Sequence, residues 1–160
     1  MTLAIRREPL TPALIEELAP LAAAACGAVH GLPADFDLAA YLELAALGRY
    51  ALWVVRDANR GWDVAVPVGL CGMILSRHQH LGLPAASQDV LYLLPAYRRG
   101  ALGLAFLRQV NRELLESGFA FVYRHAPSGS GLSALYARAG GRLTESVFEW
   151  SPPQPCPRTI

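Results

Sequence analysis

The sequence contains no lysine: all 14 of its basic residues are arginine. That absence excludes Schiff-base catalysis, a pyridoxal phosphate anchored on lysine and a P-loop lysine, whatever the fold. A surplus of either charge is also missing, since 14 basic and 13 acidic residues leave a formal net charge of +1. Binding by phosphate neutralisation needs a basic surplus or stripe, so the balance argues against a nucleic-acid partner. Cysteines are few. Cys26, Cys71 and Cys156 are odd in number and far apart, with no CxxC and no histidine at ligand spacing. No metal site or disulfide framework is expected, only thiols in a reducing cytoplasm. The longest apolar stretch, Leu18 to Val29, holds Pro20 and Gly27 and follows Glu16-Glu17. It is too short to span a bilayer and lacks a signal-peptide layout, so a cytoplasmic protein without a membrane segment is expected. GxSxG, GxGxxG, Walker A and internal repeats are absent.

What is present is apolar material for one core. The 160 residues are 53% hydrophobic and 17% charged, which suits a single domain and excludes a disordered chain. Thr2 to Arg7 alternates as a short strand. Thr11-Pro12 opens a helix that Gly27 is expected to stop after Cys26, and Asp35 is expected to cap a second helix through Leu47, ended by Gly48. Tyr50 to Arg56 and Trp62 to Arg77 read as a hairpin around the turn signal Asp57 to Gly61, with Gly69 and Gly72 marking a bulge or a close backbone approach. Gln79 to Ser87 reads as a loop and Asp89 to Leu94 as a buried strand. Leu104, Leu107, Val110 and Leu114 mark an amphipathic helix from Leu102 to Leu115, closed by Gly118. Phe119 to Tyr123 is a strand, Leu132 to Ala139 a short helix and Arg142 to Trp150 a last strand. The expected order is β-α-α-β-β-β-α-β-α-β: a single α/β domain over residues 1–151, then a Pro-rich tail at 152–160, expected to be disordered.

One stretch carries the clearest chemistry. A buried strand runs through Pro95-Ala96-Tyr97-Arg98-Arg99-Gly100-Ala101-Leu102-Gly103 straight into a helix. Unpaired N–H groups at such a helix start, together with its dipole, make an anion site. Gly100 and Gly103 permit close backbone approach, and the two arginines add charge. A solvated surface turn is the alternative for this stretch taken alone.

The chain as a whole resembles the GCN5-related N-acetyltransferase family, whose acetyl-CoA signature is R/Q-x-x-G-x-G/A within P-x-Y-R-G-x-G-x-G. Pro95, Tyr97, Arg98 and Gly103 match, and Ala101 stands where the first signature glycine would be. Leu135-Tyr136-Ala137-Arg138-Ala139-Gly140-Gly141 is similar to the family's L-Y-x-K/R-x-G-F segment, with Gly141 in place of Phe. Arg77-His78-Gln79-His80 and Gln88 to Pro95 also resemble a subgroup of the family found in tailed phages and prophages.

The resemblance implies a mixed, mostly antiparallel sheet with helices on both faces. The fourth strand would splay from the fifth, and the pantetheine arm of acetyl-CoA would lie between them. Leu93 and Leu94 would bond the pantetheine and the acetyl carbonyl, and the N–H groups from Arg98 or Arg99 through Gly100, Ala101, Leu102, Gly103 and Leu104 would hold the pyrophosphate. Tyr136 would be the general acid that protonates the departing thiolate. A base for the amine would come from His78, His80, Asp89 or Glu43. His78 and His80 share a face if the strand reaches them, and two histidines without a third ligand are a weak metal signal. The implied activity is direct acetyl transfer to a primary amine of a small molecule or protein, with no metal. The alternatives are a non-catalytic acyl-CoA-binding protein and a protein-binding accessory, and the two apolar N-terminal helices could form a homodimer surface.

Overall fold

In the computed structural model, residues 2–30, 35–59 and 65–146 are described. Thr11 Oγ1 accepts the Leu14 N–H at 3.2 Å, and Pro12 follows as first residue of helix α1 (Pro12–His30). Glycine does not end this helix: it runs through Gly27 to His30, because one glycine in an alanine-rich helix costs only about 1 kcal/mol. Residues 31–34, between the two helices, lie outside the described residues. Helix α2 (Leu38–Ala46) is capped by Asp37, whose Oδ1 accepts the Ala40 N–H at 3.0 Å, not by Asp35 as expected. Gly48 follows α2 with φ of +66°, the stop the sequence predicts.

Five strands form one sheet in chain order: β1 (Leu3–Glu8), β2 (Tyr50–Asp57), β3 (Val66–Arg77), β4 (Pro84–Leu93) and β5 (Phe121–Tyr123). All neighbours are antiparallel except β4 and β5, which are parallel. The turn between β2 and β3 lies partly outside the described residues. β4 begins at Pro84, so half of the expected loop Gln79–Ser87 is strand. Small residues Ala85 and Ala86 carried little strand signal alone, and cross-strand pairing with β3 and β5 supplies it. Helix α3 (Leu102–Glu116) and the short α4 (Leu132–Arg138) complete the described order. Of the last expected strand, residues 142–146 form no strand and 147–150, like the tail, lie outside the described residues.

Strand alternation divides the core. Tyr50, Leu52 and Val54 of β2 pack with Leu14, Leu18 and Leu21 of α1 on one face. Ala51, Trp53 and Val55 pack with Phe106, Val110 and Leu114 of α3 on the other. With both faces covered, β2 reads as an unbroken apolar run. Helix α1 includes an 18-residue window, Pro12–Val29, with mean hydropathy 1.4. By length and composition alone that window could cross a membrane, which corrects the shorter span read from the sequence. In the fold its buried stripe (Leu14, Leu18, Leu21, Ala25) faces the protein.

Candidate active site

β4 and β5 share only three residue pairs, Ala85–Ser87 against Phe121–Tyr123. Beyond Ser87 the two chains part, and Gln88–Leu93 continues paired to β3 alone. The Leu94 N–H donates to Val68 O at 2.9 Å, which fixes the phase of the antiparallel ladder. Leu93, opposite Gly69, and Leu91, opposite Cys71, therefore turn their N–H and C=O groups away from β3, toward the fork. Leu94 departs from its expected role, because its N–H is held by β3 and its carbonyl accepts the Tyr97 N–H at 2.8 Å. Leu91, missed in the sequence, takes its place on the open edge. The Leu93 carbonyl accepts Arg98 Nε at 2.8 Å, and the Arg98 guanidinium lies 4.9 Å over the Tyr92 ring.

At the end of β4 a single 3-10 turn, Pro95–Tyr97, leads to α3. Gly100 has φ of +82°, the left-handed conformation that only glycine adopts without strain. Ala101 precedes α3 with φ of −90°, so its methyl group is accommodated where the signature has glycine. No side chain caps α3 and no acidic residue occupies its first turn, which leaves the N–H groups of Leu102, Gly103 and Leu104 for an anion. The Arg98 N–H bonds Pro95 O at 3.3 Å, so of the two expected starts for the anion-holding N–H groups Arg98 is taken and Arg99 is left. A Cβ at Gly103 would lie 3.6 Å from Leu135 of α4 and 3.8 Å from Leu93, so the loop, β4 and α4 converge there.

Tyr136 of α4 reaches the fork. Its hydroxyl has two acceptors, Gln88 Oε1 and the His125 carbonyl, each at 3.0 Å. Burial is the main cause holding this phenol above its ordinary value, with the Gln88 hydrogen bond and the Arg124 charge opposing. Gln88 Nε2 also donates to the His125 carbonyl at 3.1 Å. Arg124 donates to Asn111 Oδ1 from Nε and Nη2, at 3.2 and 2.6 Å, and its Nη1 lies 3.0 Å from Cys71 Sγ and 3.4 Å from Gln88 Oε1. Ser87 Oγ lies 3.1 Å from His125 Nε2. Gln88, Arg124 and His125 were not singled out in the sequence; no spacing rule links them, and only the fork brings them to Tyr136.

Asp89 occupies a β-bulge. Gly72 pairs with Val90 and Met73 with Gln88, which leaves Asp89 as the extra residue. Its Oδ2 accepts hydrogen bonds from the hydroxyls of Tyr50, at 2.8 Å, and Tyr41 of α2, at 3.1 Å. The two rings meet edge-on at 5.2 Å. Burial first and the Asp89 charge second push the Tyr41 phenol up to about 12, and the same causes raise Tyr50 further. A Cβ at Gly72 would overlap the Tyr50 hydroxyl, so the missing side chain lets Tyr50 pass beneath β3 to Asp89. That is the close approach the two glycines signalled.

His78 and His80 lie elsewhere. β3 ends at Arg77, and the His78 N–H bonds Leu83 O in the turn to β4, so strand alternation does not apply to them. Their rings stand 6.0 Å apart, with His78 against Phe121 and Tyr123. This turn joins the Pro84 end of β4, five residues or about 16 Å along the strand from Asp89. Glu43 is exposed on α2. Among the described residues no three His, Cys, Asp or Glu side chains gather as metal ligands. A cavity of 680 Å³ beside α2, lined by Leu10, Leu42 and Tyr50 among others, includes no residue of β4, β5 or α4.

The same fold recurs among solved structures. A ribosomal-protein-alanine N-acetyltransferase from Brucella melitensis biovar Abortus 2308 superposes with a TM-score of 0.70 at 17% identity, over 94% of this chain and 99% of that one. AAC(6')-Iy, in complex with the bisubstrate analogue CoA-S-monomethyl-acetylneamine, gives 0.70 at 18% identity over 96% and 99%. An acetyltransferase of Trypanosoma brucei gives 0.69 at 19% identity over 94% and 99%. This is an acetyltransferase fold. It is the architecture that the resemblance to GCN5-related N-acetyltransferases implied, and the chain spans nearly the whole length of each neighbour. No family model and no curated protein sequence matches the chain. Within the acetyltransferase fold the β4–β5 fork, the uncapped start of α3 and Tyr136 stand together.

Proposed function

We propose that the protein is an acetyl-CoA-dependent N-acetyltransferase acting on a primary amine. The observation that carries this is the fork itself: a β4 edge that no strand pairs at Leu91 and Leu93, continuous with the uncapped N-terminus of α3, with the Tyr136 hydroxyl between the parting strands. The pantetheine arm would add to that edge as a strand does, and the pyrophosphate would lie on the N–H groups from Arg99 to Leu104. Two acetyltransferases of this fold point to amines, one named for a ribosomal-protein alanine and one bound to a CoA analogue of acetylneamine, which supports an amine acceptor here.

Asp89 faces a carboxylate role. Its Oδ2 is taken by two phenol hydrogens, which leaves Oδ1 to seat the incoming ammonium. Once neutral, the amine attacks the thioester carbonyl, and the collapsing intermediate expels the thiolate. Tyr136 supplies the proton to sulfur, a task suited to a phenol held protonated by burial. Positioning in the fork contributes the larger share of the rate.

Calorimetry with acetyl-CoA tests the binding half. Micromolar affinity that is lost in Gly103→Trp is expected, since a bulky side chain there fills the contact between β4, α3 and α4. Tyr136→Phe should keep that affinity and lower turnover by about 10²-fold or more. A second reading, a non-catalytic acyl-CoA binder, is favoured by one observation, the Tyr136 hydroxyl directed at Gln88 Oε1 and the His125 carbonyl. Tight CoA binding without transfer to any amine would establish it.

A further inference from the structure

We propose that His125, with Ser87 fixing its ring, is the base that takes the proton from the acceptor's ammonium; this rests on the N-acetyltransferase reading above. His125 follows β5 where the chain leaves the sheet, and its main-chain carbonyl accepts the Tyr136 hydroxyl at 3.0 Å. Acid and base are therefore tied to one residue. The carbonyl is anchored a second time by Gln88 Nε2, so the backbone that carries the ring is held to β4. The ring itself is held to β4 by Ser87 Oγ at 3.1 Å from Nε2. Ser87 is the last residue of β4 that pairs with β5, which puts the imidazole where the two strands begin to part. His125 is exposed, so a proton collected there can leave to solvent.

The other candidates are less suited. Asp89 Oδ2 already accepts two hydrogen bonds, His78 and His80 sit at the far end of β4, and the His78 Nδ1 is enclosed without a hydrogen-bond partner. With the imidazole proton on Nε2 donated to Ser87 Oγ, Nδ1 keeps its lone pair for the ammonium. The nitrogen of the acceptor sheds two protons in becoming an amide. One passes to His125 and then to solvent; the other balances the proton that Tyr136 gives to the CoA sulfur as the C–S bond breaks and the C–N bond forms. Ser87 acts through the ring and is a positioning residue.

The groups around His125 are Arg124 on its own segment, Tyr123 of β5, Tyr136 of α4 and, on β4, Asp89 two residues beyond Ser87. Guanidinium and phenol side chains keep their charge between pH 5 and 9, which leaves Asp89, and His78 against Tyr123, as the competitors to test. The experiment measures CoA formed by mass from acetyl-CoA and a panel of an aminoglycoside, a polyamine and an alanine-terminated peptide, across pH 5 to 9. The wild type should show an acid limb in kcat/KM. His125→Gln should abolish that limb, lower kcat/KM by about 10² or more at pH 7, regain activity with added imidazole and bind acetyl-CoA as the wild type does. Ser87→Ala should lower kcat and keep the limb. Activity of His125→Gln within threefold of wild type, or an acid limb that survives in it and vanishes in Asp89→Asn or His78→Gln, overturns the assignment to His125. A wild type that binds acetyl-CoA and acetylates none of the panel overturns the catalytic reading, and His125 with it.

Discussion

Gly72 and Gly27 show how differently one missing side chain acts in two places. At Gly72 a Cβ would overlap the Tyr50 hydroxyl and stand 3.0 Å from Val90, in the buried centre of the sheet. At Gly27 nothing lies within 4 Å, and the residue is simply a weak helix former inside α1. Gly72→Ala should therefore destabilise by about 1–3 kcal/mol, through displacement of Tyr50 from Asp89. Gly27→Ala should stabilise by about 0.5–1 kcal/mol. Urea titrations of both variants check the pair, and equal shifts would contradict it. The sequence read Gly27 as a helix stop, which α1 runs through, and Gly72 as a bulge or close approach, and Gly72 does sit at a bulge. It carried no sign that Tyr50 fills the space, because the partner is 22 residues away and only the β2–β3 register joins them. Asp89 was visible as a candidate and its two tyrosines were not, for the same reason. Tyr136 lay inside a local motif and so could be read directly.

Helix α2 buries none of its residues fully, so a few side-chain contacts decide where it stands. The Tyr41 hydroxyl on Asp89 and the Tyr41 ring on Tyr50 are the contacts that clip it to the sheet beside the fork. Both phenols are raised in the folded state, Tyr41 to about 12. A raised phenol pKa means that the folded state holds the proton more tightly than the unfolded chain. The stability it contributes is full below the ordinary phenol value near 10 and is lost as pH rises through about 12. Asp89→Asn removes the charge that is the second cause of each shift and leaves burial, the first. Thermal melts at pH 9 and pH 11 should fall for the wild type and fall less for Asp89→Asn. An equal fall would separate Asp89 from the tyrosines. At this scale the long periodic segments, α3 above all, were legible from spacing, and most boundaries followed. β4 was not, since Pro84 to Ser87 becomes strand only when β3 and β5 flank it.

Over the whole molecule the sheet divides into a firm part and an open part. β1, β2 and β3 are paired along their lengths and β2 is covered on both faces, with Trp53 and Phe106 almost fully buried. β4 and β5 keep three pairs, and the fork opens where pairing stops. An opening of this kind needs the rest of the fold to hold its shape, and the far edge has its own clamp. Arg56 of β2 takes Glu8 of β1 at 2.8 Å and Glu17 of α1 at 2.7 Å, joining strand, strand and helix. The hydrogen bond from Arg56 is the chief cause that lowers Glu17 below its usual 4.5, against a smaller opposing effect of burial. A lowered carboxyl contributes stability above the unfolded value and loses it as pH falls through the folded one. Glu17→Gln keeps the shape and removes the titration. Its melting temperature should lie below the wild type's at pH 6, and the gap should close as pH falls below 4.5, where the wild-type carboxylate takes up its proton. A gap of constant size from pH 6 to pH 3 would show that Glu17 acts by packing and not by charge.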